Sequence, residues 1–160
     1  MDKRADQFLE MSALLTGFDR AQLLGTGLTG SYLRALDAVL PEGVPDELLD
    51  AFGRLPGGAD GEAAVGSAIL DDPKLGPVAQ NVILMWYCGT WTALPDAWRS
   101  AYGTSPLDTD HVLSAAAYQA GLQWVAAGAH PAGARQQGYG AWAVAPGAAA
   151  PAVAPEKART

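Results

Sequence analysis

The chain predicts an all-α fold, an irregular bundle of about five or six helices followed by an extended aromatic and glycine-rich C-terminal arm. Three observations predict it. Apolar residues recur at helical spacing through most of positions 4–128. No segment alternates with a period of two over a useful length, and no strand–helix–strand unit is found. With 49% hydrophobic residues in 160 positions, the chain can bury one core without disulfides. The expected organisation is a helical domain over 4–128, an arm over 129–146, and a flexible Ala/Pro tail over 147–160.

Each element has a local reason. Phe8, Met11, Leu14 and Leu15 make one face of a helix over 4–16, and Gly17 is a plausible stop. Asp19 can cap a second helix that runs to about Leu40. Leu24, Leu28, Tyr32, Leu36 and Val39 form its stripe, at steps of four, four, four and three. Pro41 and Pro45 end it. Asp46 then caps a short helix to about Leu55, "PGGADG" turns, and another short helix spans 61–70. Asp72 and Pro73 open a helix from about Leu75 to Trp91. That helix contains "VILMWYC" and is apolar nearly all round, so it belongs in the centre of the bundle. "TALPDAWRSAYGTSPLDTD" reads as irregular. Asp108 or Asp110 then caps a helix from His111 to about Ala127, with Leu113, Ala117, Ala120 and Trp124 on its buried face.

"GTGLTG", Gly25 to Gly30, has the G-x-G-x-x-G spacing of a dinucleotide-binding loop. That loop works only where a buried strand leads into the glycines and a helix leaves the third. Here "DRAQLL" precedes them, which is cap and helix sequence. The stripe of the second helix continues through the glycines. The reading is therefore a helix with a small-residue face that packs closely against a neighbour, at about 1 kcal/mol per glycine relative to alanine.

Charge and composition exclude several function classes. The net charge is −7, with only 10 Lys and Arg, which argues against nucleic acid and against anionic membrane surfaces. The longest apolar run, Val82 to Cys88, is far below the ~20 residues that cross a bilayer. Lys3 and Arg4 are followed by Asp6, Gln7 and Glu10 rather than by an apolar export segment, and no twin arginine is present. As it stands, the sequence implies a cytoplasmic protein, or a periplasmic one if an export signal was removed or is supplied by a partner. Cys88 is the lone cysteine and reads as a small buried residue without a disulfide partner.

No catalytic set, cofactor site or metal site is expected in this chain. His111 has only Asp108 and Asp110 nearby, which read as helix caps, and His130 precedes a proline in coil. No nucleophile elbow or phosphate loop appears. Aromatic residues carry the functional signal instead. Trp86, Tyr87 and Trp91 lie on or beside the apolar helix, and Tyr139 and Trp142 lie among glycines in the arm. Tryptophan and tyrosine are common anchors of protein–protein contacts, so these five are the candidate partner interface.

Three short stretches resemble a known family. "FLEMSALLTGF", "ILMWYCGTW" and "GYGAWAVAP" follow one another in the order found in the small subunit of FAD-dependent sugar and polyol dehydrogenases, the sorbitol and fructose dehydrogenase type. The family pattern is L-T-G, then W-Y-x-G, then an aromatic-Gly-x-W ending before a proline. Here these fall at Leu15–Gly17, Trp86–Gly89 and Tyr139–Pro146, with one residue more before the proline. The resemblance spans about residues 7–146. It implies a non-catalytic helical subunit that binds and stabilises a large flavoprotein of the glucose–methanol–choline oxidoreductase type. In that family the large subunit carries the FAD and the catalytic residues, and a cytochrome subunit often accepts the electrons. The small subunit usually carries the twin-arginine signal, which this sequence does not show. A helical adaptor or chaperone for an unrelated partner fits the composition equally well. An independent nucleotide-binding enzyme would rest on Gly25–Gly30 alone.

Overall fold

In the computed structural model, which describes residues 2–103 and 105–131, Asp2 and Gly17 bracket the first helix, α1 (Lys3–Thr16). Phe8, Leu9 and Met11 are fully buried on its inner face, and Leu14 and Leu15 are half-buried. Two polar residues are buried with them. Ser12 donates its hydroxyl to the Phe8 oxygen at 2.7 Å, and Thr16 donates to the Ser12 oxygen at 2.7 Å. Each hydroxyl is thus satisfied one turn back along its own helix.

The expected single helix from Asp19 to Leu40 is two helices, α2 (Arg20–Gly25) and α3 (Thr29–Val39). The cap at Asp19 is as read. Its carboxylate accepts the Gln22 amide at 2.8 Å, and the Gln22 side chain accepts the Asp19 amide at 3.1 Å. The break sits at Gly27, whose φ of +72° lies in the left-handed region that glycine enters without strain. Thr26 bridges the break: its hydroxyl donates to the Leu23 oxygen at 2.7 Å and accepts the Leu28 amide at 3.2 Å. Leu28, Tyr32, Leu36 and Val39 are buried as the stripe requires, but Leu24 is 44% exposed because the break turns it outward. The small-residue face does not pack as expected. A Cβ added at Gly25 or Gly27 would meet nothing within 4 Å, and at Gly30 only the Arg34 side chain at 3.4 Å.

Helix α4 (Val44–Gly53) starts two residues before Asp46, with Gly43 rather than Asp46 at its N-cap, and takes Pro45 in its first turn, where a missing amide is harmless. Arg4 ties three helices together here. It donates to Asp37 of α3 at 2.6 and 2.8 Å and to Asp46 of α4 at 2.6 Å. Helix α5 (Ala59–Val65) runs on into a wider π-turn over Gly66–Leu70.

The apolar helix is α6 (Leu75–Cys88), and it is central: α1, α4, α8 and α9 all pack on it. Asp72 caps it, accepting the Lys74 and Leu75 amides at 2.8 Å each. It ends at Gly89 rather than Trp91. Gly89 has φ of +70° and lies so close to α8 that an added Cβ would meet the Ala117 carbonyl carbon at 2.5 Å. Trp91 falls in a short strand, β1 (Thr90–Trp91), which pairs antiparallel with β2 (His111–Val112).

The stretch read as irregular contains a helix, α7 (Asp96–Tyr102), that begins after Pro95. The helix expected from His111 to Ala127 is instead β2 followed by two short helices, α8 (Ala115–Gln119) and α9 (Leu122–Ala126). Ser114 caps α8, accepting the Ala117 amide at 3.0 Å. Of the expected buried face, Ala117 is buried and Leu113, Ala120 and Trp124 are half-buried. Among the described residues, the all-α reading holds, with β1 and β2 as the exception. The arm beyond Pro131, including Tyr139 and Trp142, and the tail over 147–160 lie outside the described residues.

Candidate functional site

Two of the sequence stretches that carry the family resemblance meet in space. Leu15–Thr16–Gly17 ends α1, and Trp86–Tyr87–Cys88–Gly89 ends α6. The Tyr87 hydroxyl donates to the Thr16 backbone oxygen at 2.8 Å across 71 positions of sequence. That oxygen belongs to the last turn of α1, where carbonyls lack intrahelical partners. The Tyr87 ring also meets Phe18 edge-on, with centroids 5.8 Å apart. Helix ends far apart in sequence are therefore locked by one half-buried tyrosine.

Trp86 points the other way, into the core. Its ring stacks on Phe8 at 6.4 Å and meets Tyr32 edge-on at 4.8 Å. It is 1% exposed, as is Trp91. Neither ring offers a partner any surface in this structure. Both fill the space between α6 and its neighbours, as large aromatics in an apolar helix tend to do. Tyr87 is half-buried, and Cys88 is half-buried with a free thiol.

Among the described residues, three buried polar atoms have no hydrogen-bond partner: Trp86 Nε1, Tyr32 Oη and Thr29 Oγ1. Burial pushes the Tyr32 hydroxyl pKa well above its ordinary value, because the phenolate would have to form in an apolar setting.

Asp108 was read as a helix cap, but it serves a different purpose. Its carboxylate is fully buried, and it accepts the Trp91 indole N–H at 2.8 Å and the Leu94 amide at 3.0 Å. Arg99 lies 3.2 Å away and supplies the opposite charge. Asp110, the other expected cap, accepts the Ala93 amide at 2.7 Å. Asn81 accepts the Thr92 amide at 2.9 Å and donates to the Thr92 oxygen at 3.0 Å. These three side chains hold the chain between β1 and α7 in place. His111 is exposed, with Nδ1 2.6 Å from the Thr109 oxygen. Among the described residues, no cluster of three His, Cys, Asp or Glu could hold a metal ion. No helix among them is long and apolar enough to cross a membrane.

The surface carries one feature that the sequence reading missed. Two adjoining hollows, of about 360 and about 450 Å³, share Leu14 and Glu62 as walls. They lie where α1 passes the end of α4 and the start of α5. Phe18, Phe52, Leu55 and Val65 line them, and Glu10, Asp19 and Glu62 stand among the lining residues. Leu14 lies on the α1 stripe one turn past the fully buried Met11, yet the structure leaves it half-buried, which the stripe alone does not reveal.

At the "GTGLTG" stretch, the strand that a dinucleotide loop needs is replaced by α2, and the three glycines face solvent. Comparison of the chain with protein-family models, with curated proteins and with solved structures finds no match.

Proposed function

We propose that this chain is an accessory subunit that binds, stabilises and helps mature an FAD-carrying catalytic subunit of a sugar or alcohol dehydrogenase. The partner on this reading is a large flavoprotein of the glucose–methanol–choline oxidoreductase type, with a cytochrome subunit as the accompanying electron acceptor. The flavin belongs to that partner.

One observation carries the reading. The L-T-G and W-Y-x-G stretches, singled out from sequence alone, are joined by the Tyr87–Thr16 hydrogen bond. Gly89, the last residue of the second stretch, is required both by its positive φ and by its contact with α8. The third stretch, with Tyr139 and Trp142, supplies aromatic anchors for the partner on this reading.

Co-expression tests it. The large subunit is produced with and without this chain, and soluble yield, FAD content and dehydrogenase activity are compared. All three drop without the chain; equal values in both cases overturn the proposal. Within the complex, Trp142→Ala weakens association by about 2 kcal/mol or more, as loss of a buried aromatic anchor does. The thermal midpoint of the isolated chain stays nearly unchanged. A large midpoint shift with intact binding would place Trp142 in the domain's own core.

A further inference from the structure

The paired hollows beside α1 have the makeup of a docking groove. Leu14, Phe18, Phe52, Leu55, Pro56 and Val65 give apolar walls. The polar side chains among the lining residues are all acidic: Glu10, Asp19 and Glu62. Glu10 is paired with Arg20 at 3.0 Å, and the Asp19 carboxylate caps α2. Glu62 is exposed, and its carboxylate makes no hydrogen bond or ion pair among the described residues. Arg20 is shared between Glu10 and Asp6, so one cation answers two carboxylates. A chain with net charge −7 reinforces that field.

Apolar walls under an acidic rim select a ligand that is apolar in the middle and cationic at its edges. The polar side chains that line the hollows are all carboxylates, so an anionic metabolite would be repelled. Two linked hollows of this size suit successive large side chains of one polypeptide segment. An anionic lipid surface or a nucleic acid would meet like charge.

We infer that this groove docks a segment of a partner polypeptide that carries large apolar anchors flanked by lysine or arginine. The inference rests on the accessory-subunit reading only for which protein supplies the segment.

The probe is a short synthetic peptide with two leucines and a tryptophan on one helical face and lysines between them, labelled for fluorescence anisotropy and titrated with the full chain. Binding saturates and weakens as salt rises. Glu62→Lys weakens it by about fivefold or more, roughly 1 kcal/mol. Leu14→Asp removes it. Should Leu14→Asp fail to fold by circular dichroism, Glu62→Lys decides alone, because Glu62 is exposed. A peptide with glutamate in place of lysine does not bind.

The inference falls if no saturable binding occurs, if Glu62→Lys changes nothing, or if the glutamate peptide binds as well. It falls equally if Trp142→Ala in the full chain tightens peptide binding, since the chain's own C-terminal segment would then be the occupant. A chain dimer that the peptide dissociates would assign the groove to a second copy and would also overturn it. Co-expression reads a different quantity. If the large subunit still depends on this chain while the peptide fails, the accessory role stands and the groove inference alone is lost.

Discussion

Tyr32 shows how one side chain can serve packing and oppose it at once. Its ring meets Trp86 edge-on and is buried on α3, which stabilises the core. Its hydroxyl has no partner among the described residues, so folding strips water from a polar group that they do not satisfy. Tyr32→Phe keeps the ring and removes the stranded hydroxyl. It is expected to match the parent at neutral pH or exceed it by up to about 1 kcal/mol in chemical denaturation. The pH dependence has a definite sign. The folded-state pKa lies above the ordinary value of 10.0, so the contribution is intact below pH 10 and lost as pH rises beyond it. There the unfolded chain gives up a proton that the folded chain retains, at about 1.4 kcal/mol per pH unit. The stability gap between Tyr32→Phe and the parent should widen at that slope above pH 10. Parallel curves would mean that the hydroxyl reaches solvent or a partner.

At the scale of elements, the break between α2 and α3 divides what sequence conveys from what it hides. Leu28, Tyr32, Leu36 and Val39 fix the buried face of α3, and periodicity finds them. The same periodicity runs on to Leu24 and so suggests one long helix, although Gly27 lets the chain turn out of it. A glycine that is tolerated in a helix and a glycine that ends one look alike in sequence. Two substitutions separate the cases. Gly25 closes α2 with open space around it, so Gly25→Ala should stabilise by about 0.5–1 kcal/mol. Gly27 has φ of +72°, so Gly27→Ala should destabilise by about 1 kcal/mol. A continuous helix would gain stability from both changes, and thermal or urea melts of the two variants decide it. A different ambiguity hid β2 and the break between α8 and α9. An aspartate ahead of an apolar run resembles a cap, yet Asp108 and Asp110 bind loop amides. Nothing local distinguishes a carboxylate that caps the next helix from one that reaches back 14 residues to Leu94.

At the scale of the molecule, the most legible feature was the centre. A helix apolar on nearly every side has to be surrounded, and α6 is. The surface was less legible, because a groove is made of residues from three elements that are each unremarkable alone. Leu14, Phe52 and Glu62 come together only once α1, α4 and α5 have packed. The aromatic signal was divided by the fold: Trp86 and Trp91 went to the core, while Tyr87 stayed at the junction of two helix ends. Since one buried cluster runs from Phe8 in α1 to Leu122 in α9, the described part should unfold as a unit. Tryptophan fluorescence, to which buried Trp86, Trp91 and Trp98 contribute, and far-ultraviolet circular dichroism should give the same urea midpoint. A fluorescence change that precedes loss of helix would show that packing around these tryptophans loosens before the helices melt.

The chain between β1 and α7 carries a further consequence. Thr92, Ala93 and Leu94 are consecutive, and each amide donates to a side chain: Asn81, Asp110 and Asp108. Irregular segments ordinarily trade their amide protons for deuterium within moments, since small local openings expose them. Leu94 cannot do so while the Asp108 carboxylate stays buried with Arg99 beside it. Its proton should therefore exchange as slowly as those in the middle of α6, giving a stretch without regular structure the isotopic lifetime of the core. Asp108→Asn, which removes the charge and keeps the shape, should shorten that lifetime at Leu94 well before it changes the rates in α6.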